Sequence, residues 1–213
     1  MKRIGLLLTA LLFLTGCGAD SLLPWLNQDH VIPCNRDWLG EWFVNVGGTK
    51  RQHRVVIELR EQPQRDDLKV KEHYMVQVWT PDGERSSLLM GHLFKVHGVR
   101  LLMLHNFTRP EERELSSVET YTLCRAEGDK DNLMLWIPEF AMEATKPGAT
   151  SPVKMVKAGH EHQQPIFVDT TDNLQAYVEK WAKTYQESET KMPFCLYRKG
   201  KEFKFPPEVK KKG

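Results

Sequence analysis

From residue 38 onward, apolar and polar positions alternate in short runs at residues 38–46, 53–61, 68–79, 87–96, 99–107, 118–126 and 132–137, rich in Val, Leu, Tyr, Trp and Thr. Successive side chains of a strand point to opposite faces, so this alternation predicts half-buried strands rather than helices. Gly47-Gly48, Thr80-Pro81-Asp82-Gly83-Glu84, His97-Gly98 and Gly128-Asp129 separate the runs. Pro presets φ and Gly accepts a left-handed position, so these are turn signals, and Pro81-Asp82-Gly83 marks a tight hairpin. The pattern is an antiparallel meander, mainly β, closing into a barrel or stacking as a sandwich. No repeat of about 30–50 residues is visible, which excludes a solenoid or propeller.

Past residue 137 the period changes. Residues 138–144 predict a short helix, and residues 145–165 a polar, Pro/Gly-punctuated excursion with one short strand within 153–156. Another strand is expected at 166–169. Thr170 or Thr171 then caps a helix whose Leu174, Tyr177, Val178, Trp181 and Tyr185 share one face, a stripe that packs on the sheet. A last strand falls within 190–198, and the basic tail 199–213 has no core-forming pattern and is expected to be disordered. Upstream, Lys2 and Arg3 precede an apolar run at residues 4–14. That run is too short for a membrane span of about 20 residues, so residues 1–16 are predicted to be a signal peptide. Residues 17–33 are expected to form the anchor and a linker, whose cluster Leu22, Leu23, Pro24, Trp25, Leu26 packs as a cap on the single β-rich domain 34–198, the alternative being contact with the bilayer.

Leu14-Thr15-Gly16-Cys17 resembles the lipobox of bacterial lipoproteins. The resemblance implies that Cys17 is lipidated with palmitate-type chains and becomes the first residue. Gly18, in place of Asp, implies the outer membrane, facing the periplasm. Leu39-Gly40-Glu41-Trp42 resembles the G-x-W opening of lipocalin-type barrels, and the order of meander, late helix and last strand with Arg198 is similar to theirs. The runs 132–136, 167–174 and 194–198 look like those of small bacterial envelope lipoproteins. A lipocalin-like barrel implies that Trp42 and Arg198 stack at its closed end; the alternative is an ordinary core Trp and an exposed strand Arg.

Charge and chemistry narrow the function. The net charge of +2 falls to about zero once the signal is removed, so there is no electrostatic case for binding nucleic acid. With Cys17 committed to lipid, Cys34, Cys124 and Cys195 remain for an export compartment, where one disulfide and one buried thiol are expected, Cys34 forming half of the bridge. No G-x-S-x-G, H-E-x-x-H, Walker loop or C-x-x-C occurs. The reading is therefore a non-enzymatic module without a cofactor, held at the membrane by its lipid and binding an envelope protein or an apolar ligand.

The alternative reading is metal handling. His160-Glu161-His162 supplies too few ligands for a closed zinc site, and Asn106-Phe107-Thr108 matches a glycosylation acceptor by chance. A two-residue turn at His97-Gly98, however, sets Met90 opposite His105 and His92 opposite Met103 on one face. A three-residue loop within Thr80 to Glu84 would place Glu72 opposite His92 and Tyr74 opposite Met90. Imidazole with thioether suits copper, especially Cu(I). Core filling, with the His pair hydrogen-bonded to Glu72 under the helix, is the competing explanation.

Overall fold

A computed structural model describes residues 19–45, 52–61, 71–106, 120–144, 151–156, 166–185 and 194–201. The strands are β1 (Ala19–Ser21), β2 (Gly40–Asn45), β3 (Gln52–Glu61), β4 (Glu72–Trp79), β5 (Arg85–Val96), β6 (Val99–Asn106), β7 (Tyr121–Gly128), β8 (Asn132–Trp136), β9 (Met155–Val156), β10 (Ile166–Phe167) and β11 (Phe194–Tyr197). Two helices, α1 (Glu139–Ala144) and α2 (Thr171–Thr184), follow the meander. Pairing runs β6-β5-β4-β3-β2-β11-β8-β7 and returns to β6, so eight antiparallel strands close a barrel. Closure resolves the sequence alternative in favour of the barrel over the sandwich, and it leaves no edge in the ring.

The alternation seen in the sequence sorts side chains into two cores. Val55, Ile57, Tyr74, Val76, Val78, Leu93, Leu102, Leu104, Cys124, Ala126, Leu133, Leu135 and Leu196 fill the barrel. The opposite face of β5, β6 and β7 carries Phe94, Val96, Leu101, Met103 and Leu123, which α2 covers with Leu174, Val178 and Ala182. The Thr170 side chain caps α2 by accepting from the Asn173 N–H, as expected of Thr at a helix start. Trp181 departs from the expected stripe: it packs only partly buried, its ring edge-on to Phe140 at 5.3 Å. Trp181→Ala should therefore cost about 1–2 kcal/mol, below the 3–5 kcal/mol of a fully buried Trp. Urea denaturation of the variant measures it, and a loss above about 3 kcal/mol would mean the ring is wholly enclosed.

The segment expected to be a linker is built into the fold. β1 adds to β7, pairing Asp20 with Thr122, and carries β10 and β9 on its other side. Trp25 is fully buried, 4.8 Å from Phe167, and donates its indole N–H to the Tyr121 carbonyl. Ile32 N–H donates to the Leu93 carbonyl at 2.9 Å, continuing the attachment along β5. Of the expected cap, Trp25 and Leu26 are buried against the domain, whereas Leu22 and Leu23 stay exposed. Sequence alternation missed β1 because three-residue strands carry almost no periodic signal.

One register differs from expectation. His97 (φ 46°) and Gly98 (φ 90°) make the two-residue turn, and β5 pairs with β6 as foreseen, Met90 with His105 and His92 with Met103. Between β4 and β5, a bulge lies at Val78 and Trp79, and beyond it Tyr74 pairs with Gly91 and Met75 with Met90. The one-residue shift flips every side chain of β4 relative to the expected pairing. Tyr74 turns into the barrel, and Glu72 no longer stands opposite His92.

Candidate functional site

Three places in the fold carry chemistry. The first is the end of the barrel where β2 begins. Trp42 is fully buried and donates its indole N–H to the Trp38 carbonyl at 2.7 Å. The Arg198 guanidinium lies 3.8 Å above the Trp42 ring and donates to the carbonyls of Asp37, Leu39, Glu41 and Lys130. This is the stack that the lipocalin resemblance implied. Gly40 makes it possible: with φ 106° it passes so close that a Cβ there would sit 2.9 Å from Arg198 Nη1. Planar, multi-donor and always charged, Arg can close four carbonyls and stack at once, where Lys cannot.

The second is the outer face of β4, β5 and β6. The shifted register aligns His73, His92 and Met103 in one row and Met75, Met90 and His105 in the next. His92, His105, Met90 and Met103 were legible as a cluster in the sequence; His73 and Met75 were not, because the bulge that brings them there is invisible to turn rules. The His73 and His92 rings lie 5.8 Å apart, and His105 stacks on Tyr121 at 4.6 Å. Burial, with His73 and His105 alongside, pushes the His92 imidazolium down to about 4, so the ring is neutral near pH 7. His73 is 4% exposed, and its Nδ1 has no hydrogen-bond partner. Among the described residues, no three His, Cys, Asp or Glu side chains converge on one point. The donors that line this face are imidazoles and thioethers.

The third is Asp20 on β1, beside the Thr122 hydroxyl that donates to it. Burial pushes its carboxyl up to about 6, the Thr122 bond only partly offsetting the loss of water. No sequence signal singled Asp20 out, since it lay in a stretch expected to be linker.

The cysteines correct an expectation. No disulfide joins Cys34, Cys124 and Cys195; all three stay as thiols. Cys124 points into the barrel, whereas Cys195 alternates with the inward Leu196 and so faces the other side of the wall. Cys34 lies against Tyr74, and its thiol is pushed up to about 12, chiefly by burial and then by the Glu72 carboxylate. Burial likewise raises Cys195 to about 11 and Cys124 further, so none is a ready nucleophile.

Cys17, His160, Glu161 and His162 lie outside the described residues, as does the tail beyond Lys201; Asn106 ends β6, and the rest of its motif is likewise outside. No helix among the described residues is long and apolar enough to cross a membrane. No protein-family model, no curated protein and no solved structure matches the chain.

Proposed function

We propose that the chain is a non-enzymatic module of the bacterial envelope, lipidated at Cys17, held at the outer membrane on its periplasmic side, and binding a protein partner through the barrel's outer surface. The observation that carries the choice of partner over enclosed ligand is the filling of the barrel. Around Gly91, an added Cβ would meet Leu104, Tyr74 and Leu102 atoms at 3.2–3.4 Å, so the interior at mid-height is packed core rather than cup. The anchor reading fits β1: Ala19, two residues past Cys17, is paired with Leu123, and two extended residues span at most about 7 Å. Such a module is presented at the membrane surface rather than hanging on a tether.

The test is to purify the protein with its anchor intact, cross-link it in the envelope, and examine partners and extracted lipid together. A stoichiometric protein partner is expected. One lipid per chain, with no partner, would overturn this reading in favour of an apolar ligand in the barrel mouth.

Cys17→Ser should abolish labelling by palmitate and block processing by the lipoprotein pathway, since only a thiol is alkylated. The unaltered protein should survive a high-salt wash, because two or more acyl chains anchor stably where one is marginal. Palmitate label in the variant would refute the anchor.

A further inference from the structure

We infer that the outer face of β4, β5 and β6 is a soft-metal site, in which His73, His92 and the Met103 thioether bind one Cu(I) ion, with Met75, Met90 and His105 forming its surround. The site goes beyond the proposed partner-binding role and does not depend on the anchor.

Composition on this face is the first argument. Three of the eight histidines and three of the eight methionines of the chain meet in two adjacent rows across three strands. Directly opposed residues in such a ladder have Cβ atoms about 4.5–5.5 Å apart, and diagonal ones remain within reach of long side chains. Imidazole and thioether are the donors that favour copper, and thioether in particular selects Cu(I), while magnesium and calcium require oxygen ligands.

The second argument is the condition of His73. A histidine that merely fills a core finds partners for its ring nitrogens, since buried polar atoms are almost always paired. His73 is 4% exposed, and its Nδ1 has none. The ring it faces is another imidazole, that of His92, at 5.8 Å between centroids. Two imidazoles bonded to one ion at about 2.0–2.1 Å each have centroids within roughly 6 Å of one another, and the observed spacing is compatible with that. Met103 pairs with His92 on the next strand and is itself nearly buried, at 7% exposed. Its backbone lies on the strand beyond His92, and its long, flexible side chain has the reach to bring the thioether over His92 to the same ion. Low-coordinate Cu(I) accepts such a set, which lacks the further hard or thiolate ligands of a closed zinc site.

The experiment uses the full chain, stripped of metal, reduced and kept without oxygen, and titrates Cu(I) against a chromophoric Cu(I) chelator. One Cu(I) per chain is expected. His73→Ala and His92→Ala should each weaken binding by at least about a hundredfold, more than loss of an outer-shell partner does. Met103→Leu keeps the apolar volume and the fold, and should still weaken binding by about tenfold. Copper X-ray absorption on selenomethionine-labelled protein separates the methionine side chain from the cysteine sulfurs: copper–selenium scattering is expected. Its absence, wild-type affinity in Met103→Leu together with His73→Ala, or equal affinity for Zn(II) would each overturn the site.

Discussion

Trp42→Ala lowers the free energy of unfolding by about 3–5 kcal/mol, the cost of removing a wholly enclosed indole from a core that cannot collapse around the gap. Trp42 is fully buried, its N–H is satisfied by the Trp38 carbonyl, and its face is covered by Arg198. Truncation therefore removes apolar burial, a hydrogen bond and the surface on which the guanidinium lies. Arg198→Ala leaves the carbonyls of Asp37, Leu39, Glu41 and Lys130 without this donor and should also destabilise. Because the two side chains touch, the double variant should lose less than the sum of the single losses, with a coupling of about 0.5–3 kcal/mol. Arg198→Lys should restore little, since an ammonium cannot fork to four carbonyls and stack at the same time. Urea denaturation of the four proteins measures the cycle; a Trp42→Ala loss below about 1 kcal/mol, or strict additivity, would mean that this end of the barrel is not closed by the pair.

The seven long strands and the main helix were legible because each carries its own signal. Val55 and Ile57 alternate with outward residues on β3, and Thr170 stands where a cap is needed. His97-Gly98 gave the β5–β6 register because a two-residue hairpin fixes pairing locally. Three things were not legible, for different reasons. The bulge at Val78 and Trp79 depends on how the β4–β5 hairpin relaxes after its Thr80–Glu84 turn, which a loop-length rule does not read; the apolar row Tyr74, Val76 and Val78, set against His73, Met75 and Gln77, is the signal that favours the observed register. The inward placement of the N-terminal segment comes from tertiary burial of Trp25 and Leu26 between β7, β10 and α2, which no local pattern encodes. Cys124 and Cys195 stay unbridged because strand alternation sends them to opposite sides of the barrel wall, a matter of topology rather than of spacing along the chain.

Asp20→Asn should stabilise the protein near neutral pH and remove one component of its pH dependence. The carboxyl is held between β7 and β10, where the Thr122 hydroxyl donates to it, and burial raises it from 3.8 to about 6. A group raised on folding contributes stability that is present in full below its unfolded value, and that is lost as pH climbs through its folded value. Between about pH 4 and pH 6 the folded chain holds a proton that the unfolded chain has released, so stability from this group falls across that window and stays low above it. A shift of about two units corresponds to about 3 kcal/mol, and an amide, which never ionises and can still accept from Thr122, avoids the loss. The variant should thus gain about 2–3 kcal/mol at pH 7 and converge with the wild type below about pH 4. Other groups titrate in the same range, but they are common to both proteins, so the difference between the two stability profiles isolates Asp20. Chemical denaturation of both from pH 3.5 to 7.5 measures it. Equal stabilities at pH 7 would show that the carboxylate reaches water in the folded chain, and the attachment of β1 to β7 would then be looser than its pairing with Thr122 requires.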